Sequence, residues 1–200
     1  MLFRSPEAQQ YVQLQMVWPA HRRAAPPWPA VPTGYSLRAQ RAGDEAAFFR
    51  LMELAGWPGW NEEKIAPLRA RFIPGCWFVV DAPDQPVVAT AMGLTSASEL
   101  HPGGAELGWV AAHPEHRGKG LGLAVCAAVT RALLELGFAD IYLLTDDWRL
   151  PALKTYLKLG YEPFLFLPQM RERWQAICGK LSWPFTPEVW PSLRAPMPAN

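Results

Sequence analysis

The chain holds 200 residues, half of them hydrophobic, and carries a formal net charge of +1. That supports one domain with a sizeable core and gives no global attraction to nucleic acid or an anionic membrane, so any recognition of phosphate has to be local. The cysteines Cys76, Cys126 and Cys178 are odd in number, far apart and without metal-ligand spacing, which reads as reduced thiols in a cytoplasmic protein lacking a disulfide framework or a structural metal.

From the N-terminus, Val12, Leu14, Met16 and Trp18 alternate with Gln13, Gln15 and Val17, the period of a strand with one buried face. The run PAHRRAAPPWPAVPTG has too many prolines for regular helix and reads as a stiff connector. Residues 1–34 are therefore expected to be an N-terminal extension with an added strand, 35–180 the main domain, and 181–200 a proline- and tryptophan-containing tail. YSLRAQ predicts a short strand. GDEAAFFRLMELAG predicts a helix with Asp44 as N-cap, Phe48, Leu51, Met52 and Ala55 on one face, and Gly56 as its stop. A second helix follows, with Asn61 as cap, Glu62 and Glu63 at its positive end, and Ile65, Leu68 and Phe72 as a sparse apolar stripe.

CWFVVD and PVVATAMGLT, joined by APDQP, predict a hairpin, and AELGWVAA a third strand. From Gly120 to Leu136 the chain is apolar nearly all round, which predicts a helix buried against a sheet and ended by Gly137. DIYLLT predicts a strand, and PALKTYLKLG a helix with proline in its first turn and Gly160 beyond its last residue. FLFL predicts another strand, and MRERWQAICGKL an amphipathic helix. No apolar run has the length of a membrane span, and the N-terminus lacks a secretory pattern. The main domain thus reads β-α-α-β-β-β-α-β-α-β, a mixed α/β architecture.

Where the third strand gives way to the buried helix stands HPEHRGKGLG, His113 to Gly122. A strand entering a helix through a glycine-rich turn points unpaired backbone N–H groups and the positive helix end at one spot, which suits a phosphate. Arg117 and Lys119 add charge, and Gly118, Gly120 and Gly122 remove steric obstruction. The string is no P-loop, because Lys119 is followed by Gly120 where that motif needs Ser or Thr. Nor does it match a dinucleotide fingerprint beginning at Gly118, because position 123 is Leu and the preceding strands read as antiparallel.

The pattern that fits is R-x-x-G-x-G from Arg117 to Gly122. Together with RLPALKTYLKLGYEP, in which Ala152, Tyr156, Gly160 and Tyr161 match N-x-x-A-x-x-x-Y-x-x-x-G-[FY], it resembles the GNAT superfamily of GCN5-related N-acetyltransferases. The resemblance spans residues 35 to 167 in element order and is sharpest from Glu106 to Pro163. It implies a mostly antiparallel central sheet with a splayed acyl-CoA-binding strand pair and flanking helices. It further implies that Val110, Ala111 and Ala112 offer backbone groups to the pantetheine arm of acetyl-CoA, and that Gly118, Lys119, Gly120, Leu121, Gly122 and Leu123 cradle its pyrophosphate beside Arg117.

Two departures stand out. Arg149 occupies the family's asparagine position on the cofactor side, and MRERWQAICGKL lies where a seventh strand is usual.

Direct acyl transfer from a thioester to an amine needs a neutral amine, donors for the developing oxyanion and an acid for the departing thiolate; it needs no metal. The resemblance puts Tyr156 where family members carry that acid, although a tyrosine packed beside Leu153 and Leu157 on one helix face would look the same. It puts Glu106 where lysine-acetylating members carry a base, whereas strand alternation alone would let Glu106 face solvent. His113 and His116 read as solvent-exposed loop residues, and the tryptophans Trp57, Trp60, Trp77, Trp109, Trp148 and Trp174 read first as core and cover, second as lining of an acceptor cleft. The resulting expectation is a cytoplasmic N-acetyltransferase that moves acetyl from acetyl-CoA to a small-molecule primary amine, with no nucleic-acid or membrane partner. The rivals are a non-catalytic acyl-CoA sensor and an acyltransferase with a longer acyl donor or a thiol-sugar acceptor.

Overall fold

The strand-forming runs assemble into one seven-stranded sheet in a computed structural model that describes residues 11–193. Its strands are β1 (Leu14–Val17), β2 (Ser36–Ala39), β3 (Phe72–Ala82), β4 (Gln85–Thr95), β5 (Ala105–Ala112), β6 (Ile141–Thr145) and β7 (Glu162–Pro163), in the order β2-β3-β4-β5-β6-β1-β7. Every neighbouring pair is antiparallel except β5 and β6. A parallel pair cannot be closed by a tight turn, and α3 (Leu121–Glu135) supplies the crossover between these two strands.

Helices cover both faces of the sheet. On one side α1 (Glu45–Leu54) and α2 (Glu62–Arg69) pack Phe48, Leu51, Met52 and Ile65 against Val79, Met92 and Leu94. On the other, α3 and α4 (Leu150–Leu159) pack Val125, Val129, Leu133 and Leu153 against Leu14, Met16, Val80 and Leu143. β4 runs between the two layers and is buried at every residue from Val87 to Leu94, which is why PVVATAMGLT is apolar at both parities.

The run read as an N-terminal extension contributes an interior strand. β1 lies between β6 and β7, antiparallel to both, with Leu14 and Met16 fully buried. The seventh-strand place is thus filled from the N-terminus, while α5 (Met170–Leu181) forms as a helix and packs against α4. Trp174 of α5 meets Trp190 of the tail with ring centroids 6.1 Å apart.

Three local expectations need correction. Asp44 stands before α1 but gives its helix no side-chain cap. Its carboxylate accepts instead from Arg38 Nη1 and Nη2 at 2.6 and 2.9 Å and from the Arg41 N–H, a charge-assisted pair that outweighs a neutral cap and holds the Asp44 carboxyl below its usual range. Phe72 is not helical; α2 ends at Arg69, and Phe72 opens β3. FLFL is not a strand either. The last strand is Glu162–Pro163, and Phe164 and Phe166 turn into the core while Leu165 makes one bridge to Ser192, so the apolar alternation serves burial without a ladder. Asn61, by contrast, caps α2 as expected by accepting from the Lys64 N–H at 2.9 Å.

Because β1 contributes two fully buried side chains, Met16→Ala is expected to lower the unfolding free energy by about 2–5 kcal/mol in urea titrations. A loss within a few tenths would contradict the interior place of β1.

Candidate active site

The site begins with a fault in the β4–β5 ladder. Thr90 faces Ala111 and Met92 faces Gly108, so Trp109 and Val110 together oppose the single residue Ala91. Trp109 absorbs the bulge at φ +52°, a conformation that costs a bulky residue on the order of 1–3 kcal/mol. Its ring is held between Trp60 and Trp57, with centroids at 4.6 and 5.6 Å.

On its other edge β5 pairs with β6 at only two positions, Ala105 with Ile141 and Glu106 with Tyr142, after which the strands part. A cavity of about 440 Å³ occupies the parting and is lined from β1, β5, β6 and α4. Glu106, Val110, Arg149 and Tyr156 all line it. Ala111 and Ala112 continue β5 beyond it, paired with Thr90 and Ala89 on the β4 side only.

At the vertex of the opening, Glu106 does not face bulk solvent. Its Oε2 accepts from Arg71 Nη2 at 2.6 Å and from Tyr142 Oη at 3.5 Å, while Arg71 also donates to the Thr95 carbonyl. Tyr156 projects from α4 and is 6% exposed. Burial drives its phenol well above the ordinary range, with the positive charge of Arg149 pulling the other way. The phenol therefore keeps its proton at neutral pH.

Arg149 is engaged locally. Its Nε donates to Asp146 Oδ2 at 2.9 Å, and its guanidinium lies 3.9 Å from the Trp57 ring centroid. The other carboxylate oxygen of Asp146 accepts from Gln13 Nε2 at 3.1 Å and from Tyr11 Oη at 3.3 Å. Gln15 is 7% exposed at the cavity wall. Its Oε1 lies 2.9 Å from Nε2 of buried His101, whose Nδ1 meets the Asp140 carboxylate and whose ring stacks on Tyr142 at 4.1 Å. Of the six tryptophans weighed from the sequence, Trp57 and Trp109 line the cavity; Trp60, Trp77 and Trp174 pack elsewhere, and Trp148 is exposed.

Sequence reasoning missed Gln13, Gln15, Arg71, Tyr142 and Asp146. Gln13 and Gln15 carried a signal in their alternation with apolar neighbours, but it was indistinguishable from that of a solvent-facing edge.

The glycine turn lies at the far end of β5. After a short 3-10 turn over Pro114–His116, Gly118 and Gly120 adopt φ of +77° and +79°. A Cβ at Gly118, Gly120 or Gly122 would meet no atom within 4 Å, so no protein packing at these positions demands glycine. The first paired amide of α3 is that of Ala124, which donates to the Gly120 carbonyl at 3.0 Å, and no side chain caps the helix. The amides of Leu121, Gly122 and Leu123 thus open the positive end of a fifteen-residue helix to a ligand. Arg117 is exposed beside them, and Lys119 Nζ donates to Tyr35 Oη at 2.7 Å, which in turn lies 2.8 Å from His116 Nδ1.

Residues 45–161, which contain β5, β6, α4 and the glycine turn, match the model of the acetyltransferase (GNAT) family. The chain belongs to that family. It is 33% identical over 144 residues to a mycothiol acetyltransferase of Nocardia farcinica, covering 66% of this chain and 47% of that protein. A GCN5-related N-acetyltransferase from Sphaerobacter thermophilus superposes with a TM-score of 0.57 at 24% identity, covering 76% of this chain and 50% of that one. Arabidopsis thaliana Naa50, solved with a bisubstrate analogue, gives 0.51 at 19% identity, covering 64% of this chain and 83% of that one. These structures share the fold. The chain spans about half the length of the curated relative it matches.

Gly122 has an ordinary helical φ and free space at its Cβ, so Gly122→Leu is expected to leave the melting temperature unchanged or raised while abolishing coenzyme A binding in calorimetry. Retained affinity would remove the ligand from this turn.

Proposed function

We propose that the protein transfers an acetyl group from acetyl-CoA directly to the primary amine of a small molecule. The observation that carries this reading is the opening between β5 and β6, along which Tyr156 and Glu106 line one cavity while the free end of α3 stands where β5 ends.

The residues present suit the donor. The amides from Gly118 to Leu123, with Arg117 and Lys119, suit a pyrophosphate, and the β5 edge at Val110, Ala111 and Ala112 can hydrogen-bond an amide-bearing arm as an added strand would. The bound donor supplies an activated thioester. Tyr156 holds a proton at Oη and presents it to the sulfur as negative charge grows there. Glu106, fixed by Arg71 and Tyr142, accepts a proton from the incoming amine directly or through water. Arg149 completes the wall as the neutralised partner of Asp146. Unpaired, buried cysteines suit a cytoplasmic setting.

A second reading takes a thiol-sugar conjugate as acceptor. It draws on the relative named mycothiol acetyltransferase and on a wall of uncharged hydrogen-bonding groups, Gln13, Gln15, Ser98 and Tyr142, which suits a hydroxyl-rich molecule.

Incubation with acetyl-CoA and a panel of amines, followed by free thiol, tests the activity. Cys76 is buried with its thiol pushed up to about 11, so native protein adds little background. Tyr156→Phe is expected to cut turnover at least about a hundredfold while leaving coenzyme A affinity within twofold. A wild-type protein that binds coenzyme A but releases no thiol with any amine of the panel counts against amine acetylation and leaves the sensor and thiol-sugar readings. Glu106→Gln is expected to lower kcat/KM for the amine by about tenfold or more, with the acetyl-CoA KM unchanged. Unchanged amine kinetics would leave Glu106 a purely structural partner of Arg71.

A further inference from the structure

Thr145 closes β6, is 3% exposed, and its Oγ1 has no hydrogen-bond partner. Three other buried side-chain atoms among the described residues share that condition, the indole nitrogens of Trp18, Trp60 and Trp174. Of the four residues, Thr145 alone lines the cavity. A hydroxyl sealed from water without a partner is destabilising, and valine would fill the same volume without it. Thr145 borders a cavity, so a small shift of its side chain would let a bound ligand satisfy the hydroxyl.

The register says which ligand. Thr145 stands opposite Leu14, so its side chain lies on the face of Leu14 and Leu143, packed with Val125, Val129, Leu153 and Tyr156 of α3 and α4. Tyr142 and Leu144 alternate onto the opposite face, with Gln15 across from Leu144. Thr145 therefore belongs to the side of the opening that carries Tyr156, away from the Gln15 wall.

We propose that Thr145 Oγ1 donates a hydrogen bond to a carbonyl of the acyl donor, either the thioester carbonyl or an amide of its arm. This rests on the reading of the cavity as an acyl-donor site. The contact is made only with the donor bound, so its cost to the free fold and its benefit to binding have opposite signs.

Thr145→Val is the test, read by thermal melting of the free protein and by calorimetric titration with coenzyme A and with acetyl-CoA. The melting temperature is expected to hold or rise while acetyl-CoA affinity falls about fivefold to tenfold. If the thioester carbonyl is the partner, coenzyme A binds the variant as it binds wild type; if an arm amide is the partner, both ligands weaken alike. Thr145→Ser, which keeps the hydroxyl, is expected to retain affinity and guards against a packing artefact. Unchanged affinity of Thr145→Val for both ligands overturns the proposal. A wild-type protein that binds neither ligand overturns the acyl-donor reading beneath it, a result distinguishable because it needs no variant.

Discussion

Two strands that begin as a parallel pair and then separate leave main-chain donors and acceptors without partners, a condition sheets avoid unless something else occupies the gap. β5 and β6 part immediately after Glu106 and Tyr142, and the parting is pinned from both sides. The side chains of that last pair are themselves joined through Tyr142 Oη and Glu106 Oε2, and Arg71 ties Glu106 to the Thr95 carbonyl of β4. Farther along, the bulge at Trp109 adds one residue to β5 and bends it, with three indoles stacked edge to face fixing a backbone angle that tryptophan rarely adopts. The opening is thus a built feature of the sheet, held by an ion pair at its vertex and an aromatic wedge on its flank.

β1 gives that opening its far wall. By pairing with β6 along its full length it buries the edge that would otherwise be exposed, and it brings Gln13 and Gln15 to the cavity. The charges there are matched locally, Arg71 with Glu106 and Arg149 with Asp146. What remains unspent is uncharged hydrogen-bonding capacity, in keeping with a chain whose net charge is only +1. Such a wall suits recognition by shape and neutral polar contacts more than by long-range attraction.

Most of the fold was legible because its elements are locally consistent. The Asn61 cap, the glycines after α1, α3 and α4, and the strand runs of β3 to β6 sit where those elements lie, and the strand-turn-helix around Gly118 to Gly122 was readable because it is contiguous in sequence. Tyr156, named from its motif, lines the cavity, whereas partners brought together across the sheet were illegible. Arg71 reaches Glu106 from 35 positions away, and Gln15 reaches His101 from 86; no local period encodes such pairings. The proline-rich connector hides the place of the added strand for a related reason. It separates β1 from the other strands in sequence, which looks like a boundary, yet a strand needs only an open edge of suitable register to join a sheet.

Arg149 links these points to the chemistry. In the position where the family resemblance leads one to expect asparagine, this chain places a cation that is paired with Asp146 and stacked on Trp57. Burial disfavours the Tyr156 phenolate. The field of Arg149 opposes that burial effect. The same guanidinium therefore braces the cavity wall and offsets part of the electrostatic cost of burying the phenol beside it. The arginine at this position is thus an electrostatic neighbour of the Tyr156 phenol, with Asp146 limiting how far its charge is felt.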